Sequence, residues 1–176
     1  MVLALSLAAA LLAAAPGDDP AARAEALVRA AFPGADRVEA RDVVLTDDMV
    51  KRVESLARAR VRERLVTFYE ARRGADVLGY FVVHQHVVRT KRETLSLAFE
   101  PDGRIRKVTV LAFLEPPEYK PSGRWLAQLD GKGAGDRIAV GQDIAPILGA
   151  TLTARGITEE SRWLLHALRL ATGAPP

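Results

Sequence analysis

The stretch Glu93-Thr94-Leu95-Ser96-Leu97-Ala98-Phe99-Glu100-Pro101-Asp102-Gly103-Arg104-Ile105-Arg106-Lys107-Val108-Thr109-Val110-Leu111-Ala112-Phe113 decides the fold. Side chains alternate across a strand, so Leu95, Leu97 and Phe99 share one face and build a core, while Thr94, Ser96 and Ala98 share the other. Pro101-Asp102-Gly103 is a hairpin turn by composition, because Asp-Gly between β-rich runs favours positive φ. A turn this short makes Glu93 to Glu100 and Arg104 to Phe113 antiparallel neighbours. Two more strands lie upstream, Leu65 to Ala71 and Val77 to Arg89, joined at Arg73-Gly74-Ala75-Asp76. Together the four form an antiparallel meander.

Helical signals flank the meander. Pro20 to Phe32 carries Ala24, Leu27, Val28 and Ala31 at helical spacing, with Asp as the cap and Pro in the first turn. Pro33-Gly34 stops it, and Arg37 to Leu45 is a further strand through Val38, Val43, Val44 and Leu45. Thr46-Asp47-Asp48 caps a second helix to about Ala59, whose buried stripe is Met49, Val50, Val53 and Leu56. Its charged face is a solvated one, served by Asp48–Arg52 and Glu54–Arg58 at i,i+4. Pro116 and Pro117 make 115–121 a stiff loop. Ser122 to Leu129 is a short helix, 131–135 a flexible glycine-rich loop, and the last helix runs from about Glu159 to Leu170. The expected fold is α+β, an antiparallel meander packed with helices in one domain. It divides into an apolar segment over 1–16, a helix–strand–helix portion over 20–75, and a function-bearing portion over 76–172.

The chain has 176 residues, 49% of them apolar, ample for one packed core. No cysteine is present, so disulfides, iron–sulfur clusters and zinc–thiolate sites are excluded, and redox chemistry would need an organic cofactor. Twenty-five Lys plus Arg against 22 Asp plus Glu leave a net charge of +3, and aromatics are only 6%, which argues against nucleic acid as a partner. Met1 to Ala15 is uncharged and Leu/Ala-rich, and Pro16-Gly17-Asp18-Asp19-Pro20 then breaks any helix. That run is too short to span a membrane and resembles the apolar part of an export signal, pointing to the periplasm or cell envelope. A retained membrane tether and a buried N-terminal helix are the other readings.

Function is read from Gly149-Ala150-Thr151-Leu152-Thr153-Ala154-Arg155-Gly156-Ile157. Gly149 and Ala150 let a phosphate approach the main chain, Thr151 offers a hydroxyl, and Arg155 is a fork-shaped donor beside a helix start. A tight turn packed under a helix is the alternative. Leu78-Gly79-Tyr80, Phe99-Glu100-Pro101-Asp102-Gly103-Arg104-Ile105, and Trp125-Leu126-Ala127-Gln128-Leu129-Asp130-Gly131-Lys132 precede it in order. In that order, over roughly Asp76 to Leu170, these segments resemble the FMN-binding domain family, which includes the FMN-carrying subunits of the Rnf complex and of the sodium-translocating NADH:quinone reductase.

The resemblance implies an electron-carrying flavoprotein rather than a stand-alone enzyme, with FMN held covalently or non-covalently. It implies redox partner proteins at the membrane, and a flavin transferase that takes FMN from FAD. Thr151 matches the hydroxyl that is esterified in the family, with Gly149, Ala150, Thr153 and Arg155 around the phosphate. Trp125 and Tyr80 are candidate ring contacts, Gln128 in the matched Trp125–Lys132 stretch is a further cofactor-binding candidate, and Glu115 matches a Glu near the flavin. Three departures stand out: Leu148 where the family has Ser or Thr, Ala145 where it has Asp, and Pro116-Pro117 after Glu115. They leave open a second reading, a cofactor-free envelope interaction or scaffold module that keeps the fold without flavin.

His84 and His86 share a strand face at a spacing seen in metal sites, yet no carboxylate or third histidine is evident near them in sequence, so no metal is assigned. His166 lies on the last helix, expected half-buried and hydrogen-bonded. No catalytic residue is assigned, since no Ser–His–Asp or paired-carboxylate spacing is present.

Overall fold

The computed structural model describes residues 19–173; the export segment proposed over 1–16 lies outside them. The chain order is α1 (Pro20–Ala31), β1 (Arg37–Val44), α2 (Asp47–Ala57), β2 (Leu65–Arg73), β3 (Asp76–Val87), β4 (Arg92–Phe99), β5 (Ile105–Phe113), α3 (Gly123–Leu126) and α4 (Thr151–Thr172). All five strands form one antiparallel sheet in the order β1-β2-β3-β4-β5. This is the expected α+β meander with β1 added at its edge. The 20–75 and 76–172 portions therefore share a single sheet, joined by the β2–β3 hairpin.

Local signals set the element ends. Asp19 accepts the N–H of Ala21 at 3.0 Å and Pro20 occupies the first turn of α1. Thr46 Oγ1 caps α2 by accepting from the N–H of Met49 at 3.3 Å. Gly103 takes φ of +85° in the β4–β5 turn, and its N–H donates to Glu100 O at 2.9 Å. The expected i,i+4 pairs on α2 are replaced. Asp48 lies 3.8 Å from Lys51, and Glu54 accepts from the N–H of Val61 at 3.0 Å, because α2 ends at Arg58 in a left-handed conformation and the chain folds back.

The sheet is covered on both faces. Leu95, Leu97 and Phe99 pack with Val66, Phe68, Val82, Ile105 and Val108 beneath α2, α3 and α4. The opposite face, with Tyr69, Ala71, Phe81, Val83 and Ala98, is closed by Ala24, Val28 and Phe32 of α1. Helix α4 is a buried amphipathic helix. Ala154, Ile157, Ser161, Leu164, Leu165 and Leu168 recur at helical spacing and are fully buried. Gly173 ends it at φ of +68° and donates to Arg169 O at 2.9 Å. The loop after α3 is anchored rather than flexible: Ile105 N–H donates to Lys132 O and Gly131 N–H to Ile105 O, both at 2.7 Å.

Where β3 crosses beneath α1, the backbone leaves no room for a side chain. A Cβ on Gly79 would lie 2.3 Å from Phe99 O and 2.4 Å from Phe32 Cε1, and φ is +153°. Gly79→Ala is expected to lower stability by about 1–3 kcal/mol, the usual effect of forcing extra volume into a packed core. Chemical denaturation followed by circular dichroism measures it, and an unchanged midpoint would contradict the close contact.

Candidate functional site

Thr151 sits in the first turn of α4, about eight residues earlier than the helix suggested by the sequence. Gly156 lies inside the helix. Its missing Cβ is what the His86 ring requires, since a Cβ would come within 3.1 Å of His86 Nε2. Ahead of Thr151, Gly149 is left-handed at φ of +78° with open space around it, and Ala150 is buried with its N–H donating to Ile147 O at 3.1 Å. Ala150 offers no side-chain cap to the helix. The Thr151 hydroxyl is exposed, as is Arg155. Thr153 points the other way, only 2% exposed, so its expected role as a phosphate donor is corrected: it packs into the core.

The remaining expected contacts split into three places. Trp125 Nε1 donates to Ala145 O at 2.7 Å, while Gln128 Oε1 accepts from Ala145 N–H at 2.8 Å. Gln128 also donates to Trp125 O at 3.1 Å. These two side chains clamp the backbone of Ala145, six residues before Thr151, and so fix the run into the turn. Glu115 is buried and accepts at Oε1 from the N–H groups of Arg89, Thr90 and Lys91 at 3.1, 2.8 and 2.8 Å. The Thr90 and Lys91 bonds foremost hold its carboxyl below the usual range. It closes the β3–β4 turn, which accounts for its burial without a ligand. Tyr80 is separate from Thr151. It pairs with Glu70 and Phe99 across the sheet and adjoins Leu168, Ala171 and Thr172 near the end of α4, roughly 25 Å along the helix axis from Thr151.

His86, near the end of β3, touches Gly156, so the β3–β4 turn and Thr151 lie at the same end of the molecule. Val87, Leu114, Leu148 and Leu152 are large exposed apolar residues on segments at this end. Leu148, in the position of the family's Ser or Thr, is entirely exposed at 102%. An exposed Thr151 thus shares this end of the molecule with exposed apolar residues.

A second constellation was not legible from the sequence. On the α4 side of β3, His84 Nε2 lies 2.9 Å from Glu160 Oε2, and Trp163 Nε1 donates to the same oxygen. Arg62 Nε approaches Glu160 Oε1 at 3.2 Å, and His84 Nδ1 lies 3.7 Å from Glu63 Oε2. His86 stacks on His84 with ring centroids 6.2 Å apart, and its Nε2 is 3.2 Å from Glu93 Oε2, its cross-strand neighbour. All of His84, His86, Glu93 and Glu160 are buried. Burial pushes the Glu93 carboxyl up, whereas at Glu160 the same burial is outweighed by His84 and Trp163, which hold that carboxyl down. The expectation that no carboxylate accompanies the two histidines is thereby corrected: Glu160 arrives from 76 residues away and Glu93 from the neighbouring strand. His166 is buried in the wall of an open cleft of about 370 Å³ with Arg58, Arg137 and Arg162. Burial foremost, then Arg169 and Arg162, pushes its imidazole below the ordinary range.

No protein-family model matches the chain, and no curated protein matches it. Among the described residues no helix is long and apolar enough to cross a membrane.

The loop that carries Ala145 rests on Asp143, which accepts from Ile138 and Ala139 N–H at 3.0 and 2.7 Å and from Lys132 Nζ at 3.0 Å. Partial burial pushes its carboxyl up, but the Ala139 N–H, Lys132 and the Ile138 N–H outweigh this and lower it from 3.8 to about 2. A carboxyl held low in the folded state contributes stability that is complete above its unfolded value and fades as pH falls toward the folded one. Thermal unfolding of the wild type is therefore expected to weaken between about pH 4 and pH 2 more steeply than that of Asp143→Asn, the two converging at the acid end. Parallel pH profiles would remove Asp143 as the anchor.

Proposed function

We propose that this protein is an FMN carrier of the cell envelope, with the flavin phosphate esterified to Thr151, serving electron transfer between membrane-associated redox partners after export. The observation that carries this reading is the setting of the Thr151 hydroxyl. It is exposed in the first turn of a 22-residue helix that lacks a side-chain cap, directly after a left-handed Gly149. The first N–H groups of a helix have no partner within it and favour negative charge, and Arg155, one turn on, is exposed. Gly149 leaves open space for a phosphate at the main chain.

These residues fit a phosphoester. Thr151 would hold the phosphate covalently, and the free N–H groups of the first turn and Arg155 would neutralise its charge. Leu148, Leu152, Leu114 and Val87 supply apolar surface for a flat ring at that end. FMN, when bound, supplies acceptance and release of one or two electrons. Trp125 and Gln128 act on Ala145 and so position the turn rather than face a ring. Tyr80, at the far end of α4, takes no part.

A second reading, a cofactor-free envelope interaction module, is favoured by Leu148 and Ala145. Those two positions lack the hydroxyl and carboxylate of the resembled family, and a fully exposed Leu148 suits a protein contact equally well.

Intact-mass and absorption analysis of the full chain, expressed through the export pathway with a flavin transferase present, separates the two readings. The expected result is a mass gain of one FMN less one water, with yellow colour that survives denaturation and is lost in Thr151→Ala. Colour released on denaturation would replace the ester with non-covalent binding. A colourless chain of unmodified mass that takes up no added FMN would overturn the flavin reading.

A further inference from the structure

We propose that His84, His86 and Glu160 form a buried binding site for one divalent transition-metal ion of the zinc class, which fastens α4 to β3. One ligand atom from each of the three lies within 4.8 Å of both others. Zinc at bond lengths of about 2.0–2.2 Å from nitrogen and carboxylate oxygen sets tetrahedral ligands roughly 3.3–3.5 Å apart. Binding requires the three atoms to draw in from within 4.8 Å to that spacing, and the 2.9 Å contact between His84 and Glu160 to open by a few tenths of an ångström. Two imidazoles and a carboxylate are a ligand set suited to zinc.

The groups behind the ligands are those that metal-binding histidines require. A ligating histidine turns its other nitrogen to a carboxylate or carbonyl, which fixes the ring and raises its basicity. His84 offers Nε2 to the site while Nδ1 faces Glu63 Oε2 at 3.7 Å. Arg62 and Trp163 orient Glu160 in the same manner.

Unsatisfied atoms mark the place as well. Both ring nitrogens of His86 and both oxygens of Glu93 are buried without a hydrogen bond, although His86 Nε2 and Glu93 Oε2 are 3.2 Å apart. Buried polar atoms are ordinarily paired, so four orphans in one cross-strand pair call for a partner. A cation gives His86 that partner and places positive charge beside Glu93, which would otherwise be an uncompensated buried carboxyl. The histidines and Glu160 are at most 6% exposed, so the ion is buried between β3 and α4, and its three protein ligands leave the fourth tetrahedral position to a water. It is independent of Thr151 and of any flavin.

The test uses the full chain stripped with a chelator and titrated with zinc against a chromophoric competitor. One equivalent is expected to bind, with a melting temperature that climbs with free zinc. Glu63→Gln, a substitution at a partly exposed side chain, is expected to weaken zinc about 10–100-fold, as loss of a carboxylate behind a ligating histidine does. His84→Leu and His86→Leu are expected to abolish stoichiometric binding, whereas Thr151→Ala leaves it intact. If the leucine variants fail to fold, cobalt substitution in the wild type decides. Intense visible bands of tetrahedral Co²⁺ with histidine nitrogen ligands by X-ray absorption support the site, and weak octahedral bands overturn it. Absence of stoichiometric zinc binding, or affinity unchanged in folded His84→Leu and His86→Leu, would also overturn it.

Discussion

Burial of one antiparallel sheet on both faces is the constraint on which the rest depends. Strand β4 shows it most clearly, since every residue from Glu93 to Phe99 is buried. Such a strand needs a cover on each side. Helix α1 supplies one through Ala24, Val28 and Phe32, and α4 supplies most of the other through its stripe from Ala154 to Leu168. Helix α1, at 12 residues, would be marginal alone in water, and for both helices the apolar area removed from solvent against the sheet supplies the stabilisation. Gly79 is where the two layers press closest, and it is the absence of a side chain there that lets Phe32 reach the sheet.

Because α4 lies across the sheet as one uninterrupted helix, it holds two polar loci at fixed positions. Its first turn presents Thr151 at an end of the molecule rich in exposed apolar residues, and its middle delivers Glu160 and Trp163 to the histidines of β3. Arg162, between them in sequence, ties the helix to its other neighbours by donating to Ala57 O, Arg58 O and Ile138 O at 2.7, 3.3 and 2.7 Å. The two loci thus share a rigid support yet use different faces and ends of it.

The buried polar cluster is costly in the absence of compensation. A carboxylate removed from water without adequate partners strongly disfavours its charged form, and Glu93 and Glu160 resolve this differently. Glu160 gathers His84, Trp163 and Arg62 and stays low, while at Glu93 burial outweighs His86 and the charge of Lys120 and pushes the carboxyl up. That asymmetry, in a core otherwise built from leucine, isoleucine and phenylalanine, is the feature of this fold that packing alone does not explain.

Local chemistry made much of the architecture legible in the sequence. Strand alternation through Leu95, Leu97 and Phe99, the Asp102-Gly103 turn, the Asp19 and Thr46 caps and the Pro20 start are each fixed by neighbours a few residues away, so each could be read directly. The beginning of α4 could not, because glycine lowers helix propensity and the close packing of Gly156 against His86 on β3 is set by the tertiary structure. Equally, the partners of Trp125 and Gln128, the burial of Thr153, the distance between Tyr80 and Thr151, and the meeting of His84, His86 and Glu160 depend on which helix face meets which strand. Contacts between residues tens of positions apart leave no periodic trace in the chain. They exist only once the sheet has chosen its covers.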